Sequence, residues 1–221
     1  MTIDQLITTD VPPLQPTDTV EHALGLIVGL RVRHLPVVSR KGSLMGIVSE
    51  DQLLDASGPD ELVESLLEAN PVYATPTQHV FDAAKILVQH GLTTLPVAKA
   101  DGRYLGLVRR HDIVDRFARM LSTHEAGAIM ALEIATSDYS LSRLVYAVEQ
   151  ADVRILSVST EASDSRDGIT AVTLKLNTSD VTRLRHVLEH EGYRIVAVFS
   201  DEDDEEDFRH RIQEFMRYLE V

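Results

Sequence analysis

Residues Leu35 to Gln52, LPVVSRKGSLMGIVSEDQ, return later in the chain as Leu95 to Asp112, LPVAKADGRYLGLVRRHD. Each copy reads as a short apolar strand, a turn marked by glycine (Lys41-Gly42, Asp101-Gly102), and a second apolar strand that ends in Gly-x-Val and runs into a polar helix start. A shift of 60 positions, which carries Leu35 onto Leu95, aligns the flanking sequence without a gap: Pro16 meets Pro76, Thr17 meets Thr77, Val20 meets Val80, Ala23 meets Ala83 and Asp55 meets Asp115. Repetition at a fixed period means one supersecondary unit used twice. Whatever the chain does is expected where the two polar helix starts converge.

Outward from the repeat, Val20, Ala23, Leu24, Ile27 and Val28 fall at helical spacing, as do Val80, Ala83, Ala84, Leu87 and Val88. Asp18 with Glu21 three residues on predicts a capping box at the first of these helices. Gly91 ends the second by tolerating a left-handed conformation, and Arg31 stands at that place in the first copy. Extended entry strands are expected at Val11 to Gln15 and Val72 to Thr75, and each unit is then a helix, two strands and a helix. Gly58-Pro59-Asp60 separates the copies, and a second boundary falls near Ser122 to Gly127. A new pattern follows: strand Ala128 to Thr136, helix Leu141 to Ala151, strand Arg154 to Glu161, turn Asp164 to Gly168, strand Ile169 to Leu176, helix Val181 to Glu191, strand Tyr193 to Phe199. That order is the ferredoxin-like βαββαβ arrangement. Asp201 to Asp207 is nearly all acidic, and Phe208, Ile212, Phe215, Met216 and Leu219 mark an amphipathic helix that needs a partner surface.

With 44% hydrophobic residues in 221, the chain holds enough apolar side chains for a sizeable core. It has no cysteine, which excludes disulfides, thiolate metal sites and cysteine nucleophiles. A net charge of -14 argues against nucleic-acid binding, where counterion release rewards clustered Lys and Arg. The N-terminus MTIDQLITTD has no basic start, and no segment approaches the apolar length of a membrane span. A cytoplasmic location is expected, with no membrane insertion.

The paired units resemble a tandem of CBS domains, the regulatory modules named after cystathionine β-synthase, over about Leu6 to Met120; the repeated Leu-Pro-Val strand, Gly-x-Val and polar helix start carry the likeness. The resemblance implies an α/β (α+β) fold in which two units form one module, with two clefts that often take AMP, ADP, ATP or S-adenosylmethionine as a regulatory ligand and no required cofactor. In the family the segment after the glycine strand commonly runs Gly-x-x-Ser/Thr-x-x-Asp, with the hydroxyl facing phosphate or ribose and the carboxylate accepting both ribose hydroxyls. Here the first copy is Gly46-Ile47-Val48-Ser49-Glu50-Asp51-Gln52, which keeps the hydroxyl and has Gln52 for Asp. The second is Gly106-Leu107-Val108-Arg109-Arg110-His111-Asp112, which keeps the carboxylate and has Arg109 for the hydroxyl. On the ligand reading, Asp112 takes the ribose and Arg109, with Arg110 or His111, reaches a phosphate at a helix N-terminus. Thr94 and Pro96 join them in copy two, and Ser49, Gln52, His34 and Pro36 are the counterparts in copy one. On the alternative, Ser49 to Gln52 is simply a capping box.

Residues 127 to 199 resemble an ACT domain, in the domain order of proteins of the acetoin-utilisation accessory protein B type. Amino-acid-binding ACT domains often carry a glycine turn after the first strand, where this chain has Ser137-Asp138-Tyr139-Ser140. The expected division is 1–60 and 61–124 for the two CBS units, 125–200 for the ACT-like domain, and 201–221 for the acidic linker and terminal helix. His186 and His190 stand four apart on a predicted helix, spacing that can hold a metal but more often faces solvent, and no metal site is expected. No nucleophile, base and orienting set or phosphate loop is present, so an enzyme is not expected. The expected function is regulatory: a CBS pair senses an adenosyl ligand, and an ACT-like domain makes a homodimer or passes the signal to a regulated enzyme or transporter. A constitutive interaction module, or an amino-acid sensor acting through the C-terminal domain, are the alternatives.

Overall fold

The computed structural model describes residues 1–68, 70–162 and 168–200. Packing divides the chain into two compact units, one from Met1 to Arg116 and one from Phe117 on. In the first, α1 (Val20–Leu30), β1 (His34–Val38), β2 (Leu44–Ser49) and α2 (Glu50–Leu54) form one copy of the repeat. The second copy is α3 (Val80–Gln89), β3 (Thr94–Ala98), β4 (Tyr104–Arg109) and α4 (Arg110–Met120).

The two hairpins share one register. Leu35 pairs with Val48 as Leu95 pairs with Val108, and both ladders shift at the same point, between Val37 and Val38 and between Val97 and Ala98. Each helix buries most of the face its spacing predicts, Val20, Ala23 and Ile27 on α1 and Val80, Ala83 and Leu87 on α3, but Val28 and Val88, expected on the same faces, are 73% and 78% exposed. The hairpins meet at their turns, where the Leu44 N–H donates to Gly102 O and the Tyr104 N–H to Gly42 O, both at 2.9 Å. Sequence repetition has become a pseudo-two-fold pairing of copies.

Three local expectations are corrected or sharpened. The first cap on α1 is Thr19 and not Asp18: the Thr19 hydroxyl accepts the His22 N–H at 3.3 Å, because the Asp18 carboxylate turns back to accept the Gln15 N–H at 2.7 Å. In α3 the corresponding cap is His79, closed reciprocally by Asp82. The entry segments are single parallel bridges, Leu14 beside Val37 and Ala74 beside Val97, and not strands; Pro12, Pro13, Pro16, Pro71 and Pro76 lack the N–H a longer ladder needs. Arg31 does take the left-handed conformation (φ 55°) that Gly91 (φ 63°) takes at the equivalent place.

The N-terminal segment completes the second copy. Thr8 and Leu107 exchange backbone hydrogen bonds of 2.8 and 3.0 Å. Gly106 makes the approach possible, since at φ +147° a Cβ there would lie 2.6 Å from Ile7 Cγ2 and 2.7 Å from Thr8 O.

The second unit contains β5 (Ile129–Ala135), α5 (Leu141–Gln150), β6 (Ile155–Ala162), β7 (Ile169–Leu176), α6 (Thr182–His190) and β8 (Arg194–Phe199). Its sheet runs β6-β7-β5-β8 with every neighbour antiparallel, the ferredoxin-like order. Met130, Leu132 and Ile134 alternate inward from β5 and meet Leu144, Ala147 and Val148 of α5 and Leu184 and Leu188 of α6. Among the described residues no helix is long and apolar enough to cross a membrane. The acidic stretch from Asp201, the amphipathic helix expected at Phe208 to Leu219 and most of the turn expected at Asp164 to Gly168 lie outside the described residues.

Candidate functional site

Each copy delivers a strand into a helix start, and the two starts carry opposite charge. In copy one, Ser49 caps α2: its hydroxyl accepts the Gln52 N–H at 3.1 Å, while Gln52 Oε1 accepts the Ser49 N–H at 2.8 Å. The capping box is therefore real, and it occupies both residues. The next two residues are acidic and are held by Arg33, whose Nε lies 3.0 Å from Glu50 Oε2 and whose Nη2 lies 3.2 Å from Asp51 Oδ1.

In copy two the same i, i+3 geometry is built from an ion pair. Arg109 Nε donates to Asp112 Oδ2 at 2.9 Å and Nη2 to Oδ1 at 3.1 Å, while the Arg109 backbone N–H reaches Oδ2 at 3.3 Å. His111 Nε2 stands 3.4 Å from Asp112 Oδ1. Asp112's hydrogen bonds hold the Arg109 guanidinium above its ordinary value. Arg110 is committed elsewhere, with Nε 2.9 Å from the Leu92 carbonyl and Nη2 on the same oxygen.

A seam of polar contacts joins the copies beside these starts. His34 Nδ1 accepts the Thr93 N–H at 3.2 Å and lies 3.0 Å from Thr93 Oγ1, which itself accepts the Arg33 N–H at 3.2 Å. The buried Thr94 hydroxyl donates to the His34 carbonyl at 2.8 Å. An Nδ1 that accepts is an unprotonated nitrogen, so the ring is neutral in this arrangement. Burial pushes His34 below its ordinary value, with Arg33 and Arg110 adding to the effect and Asp51 opposing it.

A cavity of about 400 Å³ opens at this place, lined by Val11, Leu30, Arg31 and Val32 from copy one and by Thr93, Thr94, Arg109, Arg110, His111 and Val114 from copy two. Of the ten residues singled out from sequence, Thr94, Arg109, Arg110 and His111 meet there. Asp112 lies behind Arg109 and does not line the cavity. Ser49 and Gln52 are turned to their own cap, Pro36 and Pro96 are buried in β1 and β3 with their carbonyls accepting from Leu14 and Ala74, and His34 serves the seam. Sequence reading missed Arg31, Val32 and Thr93, which reach the cavity only because one copy packs against the other. The signal available was the 60-residue shift itself, since Arg33 and Thr93 stand at equivalent positions.

The second unit has a cavity of about 680 Å³ between β5, α5 and the turn into β8, with Asp138, Arg143, Tyr146, Glu191 and Tyr193 on its walls. Burial, with Glu191 adding and Arg143 opposing, raises the Tyr193 phenol above its ordinary value. Among the described residues no group of three or more His, Asp or Glu side chains converges as a metal site.

Comparison with known proteins bears on the first unit. The CBS domain model matches residues 3–58 and 63–119. A homoserine O-acetyltransferase of Methanocorpusculum labreanum is 28% identical over 109 residues, 49% of this chain and 22% of the enzyme. The chain spans between 22% and 58% of the length of the first curated relatives it matches. A solved CBS domain pair/ACT domain protein from Thermotoga maritima has a TM-score of 0.51 at 23% identity, covering 55% of this chain and 99% of that one. CBSX2 in complex with AMP gives 0.49 at 26% identity, covering 53% and 96%.

Proposed function

The chain belongs to the CBS-domain family, and from that premise we infer that it is a non-catalytic regulatory protein whose CBS pair binds an adenine nucleotide or related adenosyl ligand in the copy-two cleft. The observation that carries this reading is the cavity walled by Arg109, Arg110 and His111 at the start of α4, with Asp112 directly behind. Its volume falls in the range of small-molecule sites. A helix N-terminus bearing basic side chains suits phosphate, and a carboxylate beside it suits a vicinal diol. The corresponding start in copy one carries Glu50 and Asp51, which repel an anion.

AMP, ADP, ATP and S-adenosylmethionine are the candidate ligands. The acetyltransferase activity of the first relative does not come with the resemblance, because the match covers only 22% of that enzyme. The working division is 1–60, 61–124 and 125–200, with the third part acting as an ACT-like domain that dimerises or transmits the change to a regulated enzyme or transporter in the cytoplasm. The exposed edges of its sheet, β6 and β8, suit pairing with a second copy. A ligand can drive such a change only by binding one arrangement more tightly than another.

Isothermal titration of the full chain with the four ligands tests the reading. Binding by at least one of them is expected, and no heat from any of them with folded protein leaves the pair as a constitutive assembly module. A second reading, amino-acid sensing by the C-terminal unit, draws on the 680 Å³ cavity, where Arg143 and Glu191 could meet opposite charges of one small molecule. Ligand-dependent protection of α5 in hydrogen exchange would separate it from the first.

A further inference from the structure

The Arg109–Asp112 pair does more than fill a consensus position. Resting on the adenosyl reading above, we propose that it is a gate which admits phosphate-bearing nucleotides to the copy-two cleft and rejects adenosyl compounds that lack a phosphate.

The argument starts from the carboxylate. Asp112 Oδ2 accepts both the Arg109 Nε and the Arg109 backbone N–H, and Oδ1 accepts Nη2 and faces His111 Nε2. A vicinal diol needs both oxygens. With Oδ2 already accepting two hydrogen bonds and Oδ1 shared between Nη2 and His111, a ribose that binds through both oxygens competes with the Arg109 guanidinium for the same atoms. Side-chain exposures of 31% for Arg109 and 20% for Asp112 mean that water compensates a parted pair only in part.

The gate then depends on what the ligand offers the displaced guanidinium. A phosphate gives Arg109 a new two-pronged acceptor, so the fork changes partner and no charge is left alone. Adenosine offers nothing in return. S-adenosylmethionine brings a carboxylate, but with it a sulfonium and an ammonium, so a net cation enters beside Arg109, Arg110 and His111 and the exchange is opposed by charge. Arg110 cannot offer the same free fork as Arg109, since its Nε and Nη2 are both bound to the Leu92 carbonyl. Copy one has no counterpart to this exchange: its cap is the neutral Ser49–Gln52 pair, and Arg33, the basic residue at its helix start, is already paired with Glu50 and Asp51. The gate therefore implies one nucleotide per chain.

The test is titration of the full chain with AMP, adenosine and S-adenosylmethionine, for the wild type and for Arg109→Ser and Arg109→Lys. The wild type is expected to bind AMP at least about tenfold more tightly than adenosine or S-adenosylmethionine, with one AMP per chain. In Arg109→Ser the AMP-to-adenosine ratio is expected to fall below about threefold, with adenosine binding gained and not merely AMP binding lost. Arg109→Lys keeps the charge without the fork and should fall between the two. Wild-type binding of AMP and adenosine within about threefold overturns the gate while leaving the adenosyl reading in place. Binding of none of the three overturns both. The wild-type comparison stands even where a variant does not fold.

Discussion

Asp112→Ala and Gln52→Ala exchange equivalent positions of the two copies, and the structure separates their effects. Gln52 Oε1 accepts the Ser49 N–H at 2.8 Å and the side chain is turned back onto its own backbone. Its removal opens half of a capping box, worth about 0.5–1 kcal/mol of stability. Asp112 holds the same backbone position and also the Arg109 fork. A partly exposed pair of this kind contributes about 1 kcal/mol, so both variants should lower the melting temperature by roughly 2–4 °C. Ligand binding is where they part. Two charge-assisted hydrogen bonds from a ribose to Asp112, at about 1.5 kcal/mol each, less about 1 kcal/mol for releasing Arg109, leave about 2 kcal/mol, or roughly 30-fold in affinity. Gln52→Ala should change AMP affinity by less than about twofold, since copy one has an amide where copy two has Asp112, and its helix start carries Glu50 and Asp51. Titration calorimetry with AMP, read beside thermal unfolding, measures both axes. Equal losses, a larger loss in Gln52→Ala, or Asp112→Ala within about threefold of wild type would refute the copy-two assignment.

Gly106→Ala should destabilise more than Gly102→Ala: both have positive φ, but only Gly106 faces Ile7 and Thr8 within 2.7 Å, so its cost of about 2–4 kcal/mol adds lost Thr8–Leu107 bonds to about 1 kcal/mol of backbone strain. Urea unfolding measures it, and similar losses in the two variants would contradict the close approach. His34 is neutral in the folded chain with its pKa below the ordinary 6.5, so the unfolded chain takes up the proton first as pH falls. Stability is therefore full well above about pH 6.5 and declines as pH falls through that value, and the decline should shrink in His34→Gln, whose amide oxygen can still accept from Thr93; an unchanged slope of melting temperature against pH would contradict the seam.

The hairpins, most of each helix face and the βαββαβ order were legible because period 2 and period 3.6 patterns report which side of an element is buried, and because the repeat let each copy check the other. Contacts between copies were not legible. Arg33, His34, Thr93 and Thr94 meet across 59 or 60 residues of chain, and no local pattern encodes a seam that exists only once two hairpins have paired. The misplaced cap has a similar cause. Asp18 and Thr19 are both good N-caps by type, and the choice falls to Thr19 because Asp18 is drawn back over the Pro16-Thr17 turn by the Gln15 N–H. At the site, residue types could be read but not their partners: Arg109 and Asp112 were both visible as candidates, and only the geometry shows that each is already the other's ligand.

That mutual engagement explains how two unequal copies can keep one architecture. Both helix starts need a side chain at the third helical position to accept the cap residue's N–H, and Gln52 and Asp112 meet that need with 2.8 and 3.3 Å bonds. The amide does so without charge, and nothing further is required of Ser49. The carboxylate does so with a charge left over, which in a half-buried place must be matched. Arg109 matches it from within the same turn, where the Ser of copy one could not. The Arg for Ser and Asp for Gln differences are therefore one coupled change, and a double-mutant cycle should show it. Arg109→Ser alone leaves an unmatched carboxylate and Asp112→Gln alone an unmatched guanidinium, so the double variant, which rebuilds the copy-one cap, should be more stable than the sum of the single losses by about 1 kcal/mol. Strict additivity would mean that the pair is two independent surface residues and that neither structure nor ligand selects them together.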